Sequence, residues 1–513
     1  MESLDSQFAR VYRQYQAFLQ KEKRVDFDDL IFDVVVRLET DDLFRQALRN
    51  RFRHVLIDEY QDLNHAQYRL VKAIVPPDGN ICVIGDPDQA IYGFRGSDTA
   101  YFNHFVEDFP DAEVIHLDRN YRSTETILEA SWQIIRNRGR SAGPGMMGAR
   151  LVSGKQGPPR LEVLEQSSEK AEAVAVGKII EAQIGGTGFL AIDAGKVDSA
   201  AAAQDRSFAD FAVLFRTARQ AEVLAAVFTQ AGIPFQLASR RKWLDQTGIA
   251  QLLALYRLLH DAGSAHDLAT AASALQPALE KSLVNAFLDW KEGRKLSLSQ
   301  ALAMHTELPG GVLTFAQQQR LNGFLEALNA LKGRLEACEN TAGRLAAVDR
   351  YSAVRELPRL ALAYEDHLER LLKLAQECRA DDARFMARLV LQRDADCLRD
   401  GVEKVSLLTM HAAKGLEFPV VFITGCENGL IPFARQEGEP EDLEEERRLF
   451  YVAMTRAREA LYLVWSRRRM LYGQKREQAL SPFVADIEAR LLAHQSYENG
   501  GRRRGRQVQL KLF

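Results

Sequence analysis

Two acidic side chains, Asp58 and Glu59, follow directly on the apolar run Val55-Leu56-Ile57. A short apolar run that stops at polar residues predicts a buried strand, and the carboxyl end of such a strand is where a parallel α/β sheet takes its ligands. A carboxylate placed there can hold Mg²⁺ directly or through water, and a second one beside it can orient and deprotonate an attacking water. By themselves the two acids read equally well as a solvated turn. A second apolar run, Ile81-Cys82-Val83-Ile84, opens into Gly85-Asp-Pro-Asp-Gln-Ala-Ile-Tyr-Gly-Phe-Arg-Gly96, which sets the amide of Gln89 and the rings of Tyr92 and Phe94 in one loop. Downstream stand Asn120-Tyr-Arg-Ser123, Thr409-Met-His-Ala-Ala-Lys-Gly-Leu-Glu-Phe418 and Glu444-Glu-Glu-Arg-Arg-Leu-Phe-Tyr-Val-Ala-Met-Thr-Arg-Ala457.

The elements that must position these residues alternate between strand and helix. Phe8, Val11, Tyr12, Tyr15, Phe18 and Leu19 recur at helical spacing and make one apolar face. A second helix follows Asp26 and runs through Leu30, Val34 and Leu38. Val114-Ile115-His116-Leu117 reads as a third strand, ahead of a helix begun by Ser123 with Ile127, Ala130 and Ile134 inward. Residues 141–160 and 185–206, rich in Gly with Pro or Ala, read as surface loops. Phe211–Phe215, Val405–Thr409, Val420–Ile423 and Leu461–Val464 read as strands, whereas residues 249–398 carry almost only helical signals. Strands alternating with helices predict a parallel α/β fold.

Composition narrows the function classes. Apolar residues make up 46 % and charged residues 27 % of the 513-residue chain, values of a globular protein and not of a disordered one. The formal charge is −3, so any contact with nucleic acid must come from a local patch. Five cysteines without a C-x-x-C pair indicate neither a zinc site nor a disulfide framework. There is no run of about eighteen apolar residues, and the first residues are charged, so a cytoplasmic address is expected.

In their order along the chain, the five segments resemble the motifs of superfamily 1 DNA helicases typified by UvrD, Rep and PcrA. The resemblance implies two RecA-like parallel-sheet domains, the first incomplete, with an all-helical domain inserted in the second. The expected divisions are residues 1–110 for the first (with a remnant of its helical insert at 1–25), 111–248 and 401–490 for the second, 249–400 for the helical insert, and 491–513 for a basic tail. It further implies an ATP-dependent 3′→5′ helicase of DNA repair or replication, with ATP and Mg²⁺ as cofactors and single-stranded and junction DNA as substrate. Asp58 is then the Mg²⁺ ligand and Glu59 the base. Gln89 and Arg122 sense the γ-phosphate, and Arg456 is the arginine finger. Tyr121 stacks on adenine and Glu417 reaches the ribose. Tyr92 and Phe94 stack on bases and His411 approaches the strand. Taken alone, Tyr121 is more simply a packed aromatic, His411 reads equally well as a structural hydrogen bonder, and a cation at a helix end suits Arg458 better than Arg456.

The sequence departs from the family at one place. A phosphate-binding loop needs glycines followed by Lys-Ser/Thr, and in the family it lies ahead of the Asp-Glu segment. The first glycine here is Gly79, and the later Gly-Lys pairs continue into Gln156, Ile179 and Val197. The expectation is an amino-terminal truncation, or one chain of a split helicase whose partner supplies the loop. The rival expectation is a non-catalytic DNA- or partner-binding fragment. Gln509-Leu510-Lys511-Leu512-Phe513, at the end of an Arg/Gly-rich stretch, resembles the peptide by which repair proteins dock on the sliding clamp.

Overall fold

The computed structural model describes residues 2–21, 24–136, 150–185, 206–238, 243–275, 281–357, 360, 364–390, 403–434, 442–471 and 474–496. Residues 141–149 of the first expected glycine-rich loop, residues 186–205 of the second, and the clamp-like Gln509, Leu510, Leu512 and Phe513 lie outside the described residues. The chain divides into two compact units, Met1–Leu237 with Gly401–Phe513, and Ala238–Asp400.

The first unit holds a two-stranded parallel sheet, a seven-stranded sheet and two further strand pairs, Arg119–Asn120 with Val152–Ser153 and Arg468–Leu471 with Gln474–Glu477. Strands β1 (His54–Ile57) and β2 (Asn80–Val83) pair in register, Val55 opposite Ile81 and Ile57 opposite Val83. Period-two alternation sends Val55, Ile57, Ile81 and Val83 to one face, where they pack against Tyr60, Tyr68, Phe102 and Phe105. The opposite face is bare: Leu56 is 75 % exposed, and Cys82 is exposed beside it. The two runs expected to be buried strands are therefore only half-buried, because among the described residues one layer alone covers them. The predicted amphipathic helix forms as Glu2–Lys21, yet Phe8, Val11, Tyr12 and Phe18 face solvent.

After β3 (Arg119–Asn120) and β4 (Val152–Ser153), which pair only with each other, come β5 (Leu161–Gln166), β6 (Phe211–Phe215), β7 (Phe235–Ala238), β8 (Val405–Thr409), β9 (Phe418–Thr424), β10 (Ala457–Ser466), β11 (Arg468–Leu471), β12 (Gln474–Glu477) and β13 (Leu492–Ser496). The large sheet has the order β13-β5-β10-β9-β6-β8-β7. β6 is apolar at all five positions and buried at all five, as a central parallel strand must be. Strands 1–2 and their helices form a first lobe, and the seven-stranded sheet with its helices forms a second.

Two expectations fail here. Val114–Leu117 is not a strand: Val114, Ile115 and Leu117 are exposed, and regular pairing begins only at Arg119. An apolar run without a partner edge does not make a strand. Ser123 does not cap the next helix, which runs Glu125–Arg136. Its hydroxyl, fully buried, donates to the Ala457 carbonyl at 2.6 Å.

The second unit is helical over its described residues, around a core that includes Leu252, Leu255, Phe287, Phe324, Leu345 and Leu371. Asp382 ties three helices by accepting from Tyr256, Thr341 and Arg344. Within this core His367 is buried, with neither ring nitrogen hydrogen-bonded, and burial holds its pKa down at about 4 from an ordinary 6.5. The unfolded chain binds that proton below pH 6.5 and the folded one does not, so stability is full above this value and falls as pH drops toward 4. The loss amounts to about 3 kcal/mol at the acid end. Urea unfolding of the wild type at pH 7 and pH 4.5 is expected to show it, and His367→Leu is expected to remove most of the difference.

Candidate functional site

Asp58 and Glu59 leave the carboxyl end of β1. Asp58 is exposed, and its Oδ1 accepts from the Glu59 amide at 2.9 Å. Glu59 lies in the left-handed region, φ 52°, which costs a non-glycine residue roughly 1 kcal/mol or more and marks strained positions of functional sites. Its neighbours hold it there. The Tyr60 amide donates to the Ile84 carbonyl at 3.0 Å. The buried Gln61 donates its amide nitrogen to the Glu59 carboxylate and accepts from the Asp86 amide at 3.0 Å. Gly85 makes that last approach possible, since a Cβ would stand 2.5 Å from Gln61 Oε1 and 2.7 Å from Phe102 Cζ. Gln61 thus joins the ends of β1 and β2 and aims the candidate base.

Asp86 caps the turn that follows, accepting from the Asp88 amide at 2.9 Å and from Gln89 Nε2 at 2.8 Å. Beyond it the loop displays a ladder of rings. Tyr92 and Phe94 lie 6.1 Å apart, and Phe94, 59 % exposed, meets His411 nearly perpendicular at 5.8 Å. Arg95 covers both Tyr92 (5.2 Å) and Phe94 (5.4 Å). Such a surface can stack on bases and draw the backbone that carries them.

The second lobe meets this edge through a residue that sequence reasoning missed. Lys414, only 7 % exposed, reaches Asp62 at 2.5 Å and Glu59 at 3.4 Å, donates to the Gln89 carbonyl at 2.9 Å, and lies 5.2 Å over the Tyr92 ring. The one signal available was a lysine inside a motif, and a lysine this buried needs a carboxylate partner. Burial raises the Asp62 pKa above the ordinary carboxylate range, with Lys414 opposing.

The remaining candidates line the second lobe. Tyr121 is exposed, with Arg119 over its ring at 5.2 Å. Arg122 Nε donates to Glu417 at 2.5 Å, and Arg458 stands 3.7 Å from the same carboxylate. Arg122 foremost holds the Glu417 pKa below its usual value. Arg456 is 2 % exposed and donates to the Val452 carbonyl at 3.0 Å and the Leu416 carbonyl at 3.3 Å. Burial, then the Arg122 charge, lowers its pKa to about 10, while Glu59 pulls the other way, so the guanidinium remains charged at neutral pH. A finger reaching a phosphoryl group would first have to release those carbonyls.

The donor set fits part of a nucleotide. Tyr121, Glu417, Arg122 and Gln89 have the chemistry for base, ribose and terminal phosphate, but a glycine-rich cradle is not among the 513 residues. Among the described residues no group of three or more His, Cys, Asp or Glu forms a metal cage. A Mg²⁺ at Asp58 would take most of its shell from phosphate and water. No helix of the described residues is long and apolar enough to cross a membrane.

Comparison with known proteins identifies the family. Residues 1–110 match the UvrD/REP helicase N-terminal domain and residues 115–468 the UvrD-like helicase C-terminal domain. Over 94 % of its length the chain is 33 % identical to ATP-dependent DNA helicase UvrD1 of Mycobacterium tuberculosis, and over 98 % it is 30 % identical to ATP-dependent DNA helicase PcrA of Staphylococcus aureus. It spans 64 % of the first relative and 67 % of the second. With both family domains matched in order across the two lobes that carry the site, the chain belongs to the UvrD-like helicases.

Proposed function

We propose that this chain carries the DNA-gripping and γ-phosphate-sensing parts of an ATP-driven 3′→5′ translocase that unwinds duplex DNA in repair or replication. The observation that carries the reading is the Lys414 bridge, which ties the candidate base Glu59 to the loop bearing Tyr92 and Phe94. One lysine of the second lobe touches both a chemical group and a stacking platform of the first. Motion of the lobes would therefore be felt at both places, as a motor requires. The relatives' names, ATP-dependent DNA helicases, accord with it. Because the phosphate cradle is not among these residues, hydrolysis is assigned to an assembly in which another polypeptide segment supplies it.

A second reading, a non-catalytic DNA-binding fragment, draws on the same missing cradle. Both readings expect sequence-blind binding of single strands through the ring ladder. The test is titration of oligo(dT), oligo(dA) and a duplex of equal length. Similar affinities for the two single strands, weaker affinity for the duplex and a linear fall of log K with log salt are expected. Failure to bind either single strand would remove both readings.

A further inference from the structure

The helix Leu443–Met454 lies against the aromatic loop, and the motor reading gives its contacts no role. Arg448 Nε donates to the Ala90 carbonyl at 2.7 Å. The Glu445 carboxylate, half-buried, meets the Gly93 backbone so closely that a Cβ on Gly93 would stand 2.5 Å from its Oε2. Positions 445 and 448 are three apart and so share one face of the helix. Lys414 grips the same loop from the other side through the Gln89 carbonyl. Ala90 and Ile91 are buried beneath these contacts, while Tyr92 and Phe94 emerge beyond them.

The base-facing rings are thus on a first-lobe loop whose backbone is fixed at Gln89, Ala90 and Gly93 by second-lobe side chains. Two aromatic rings on a loop stack productively only if the backbone is pinned, since ordering the loop on binding would subtract from the stacking energy. From this geometry we infer that Glu445 and Arg448 are positioning residues for DNA: they pre-set the aromatic loop for base stacking. The same helix runs on into Thr455 and Arg456, about 12 Å along its axis from Arg448. The element that presents the rings is therefore also the one that leads to the buried guanidinium.

The inference rests on the DNA reading above and deepens it. Its test uses the 513-residue chain and a single-stranded oligonucleotide carrying 2-aminopurine. Arg448→Ala is expected to weaken binding about tenfold and to reduce the fluorescence quenching that stacking causes. Arg448→Lys, which still donates to a carbonyl, is expected to recover most of both. Gly93→Ala, whose Cβ would push the Glu445 carboxylate away from the loop without touching Arg448, is expected to give a smaller loss of the same kind. In a Tyr92→Ala, Phe94→Ala background the Arg448→Ala effect is expected to vanish, because no rings remain to position. A merely structural role would lower the melting temperature and leave the loss equal in both backgrounds, and that result overturns the inference. Wild-type binding that Arg448→Ala and Gly93→Ala leave unchanged overturns it alone, whereas absence of wild-type binding overturns the DNA reading with it.

Discussion

ATP hydrolysis by the purified 513-residue polypeptide is expected to stay at background, with or without single-stranded DNA. The reason is chemical. Phosphoryl transfer is catalysed almost wholly by positioning and by neutralising charge on the β- and γ-phosphates, and the groups that do this first are the amides, lysine and hydroxyl of a glycine-rich loop. None of the Gly-Lys pairs in this chain continues into Ser or Thr. The groups that are present would be waiting for it: Glu59 held by Gln61, Arg122 held by Glu417, and Arg456 charged but folded onto two carbonyls. Adding a polypeptide with the phosphate loop and its preceding strand is expected to produce DNA-stimulated turnover. In that assembly Arg456→Ala should cut turnover by about 10³- to 10⁵-fold, the usual worth of an arginine finger, and Glu59→Gln by about 10²- to 10⁴-fold. Such a segment would pack on the bare face of β1 and β2, where Leu56 and Cys82 are uncovered, and its strand would pair at an edge of this two-stranded sheet. Robust hydrolysis by the chain alone, abolished by Glu59→Gln, would contradict this account.

Arg469→Ala is expected to destabilise the second lobe by about 3–5 kcal/mol, since it leaves two buried carboxylates without their cation. Arg469 is 4 % exposed and lies between Glu172 and Glu427, donating to both Glu427 oxygens at 2.9 Å. Glu427 also accepts from the Ser466 amide and hydroxyl, and Glu172 from the Gly425 amide at 2.7 Å. This cluster closes the carboxyl ends of β9 and β10, the place where an α/β sheet would otherwise take a ligand. Burial pushes the Glu172 pKa up to about 7, against the pull of Arg469. Without the arginine the Glu172 carboxyl would fold still more readily as a neutral group, so the variant's deficit should be larger at pH 8 than at pH 5.5. A drop in melting temperature of roughly 10 °C at pH 8 is the expected scale. An unchanged melting temperature would mean that the cluster is hydrated and adds little.

How much of this was legible in sequence depended on how local the cause was. β6 was readable because a strand buried on both faces is apolar throughout, and β8 because Val405, Leu407 and Leu408 keep it apolar around Ser406. β5, Leu161–Gln166, escaped notice because Glu162 and Glu165 break the run and only its neighbours β10 and β13 make it a strand. Val114–Leu117 had the composition of a strand and no partner, so composition misled. At the site, Asp58 and Glu59 could be read because they stand beside a strand end in the sequence itself, and Tyr92 and Phe94 because their motif resembles the family's. The bridge from Lys414 to Asp62 could not, because its ends are 352 residues apart and nothing local at either end names the other. The same holds for Ser123 and Ala457, 334 residues apart, where a supposed helix cap proved to be an internal fastening.

The DNA reading stands most directly on whether the ring ladder grips a strand. Stopped at equilibrium, the measurement is binding of a 2-aminopurine oligonucleotide by the wild type and by the Tyr92→Ala, Phe94→Ala double variant, with melting temperatures in parallel. The prediction is strong quenching by the wild type, and in the variant loss of quenching with affinity at least about tenfold weaker, each ring contributing roughly 1–3 kcal/mol of stacking. Equal affinity and equal quenching by the two proteins, both folded, would contradict it.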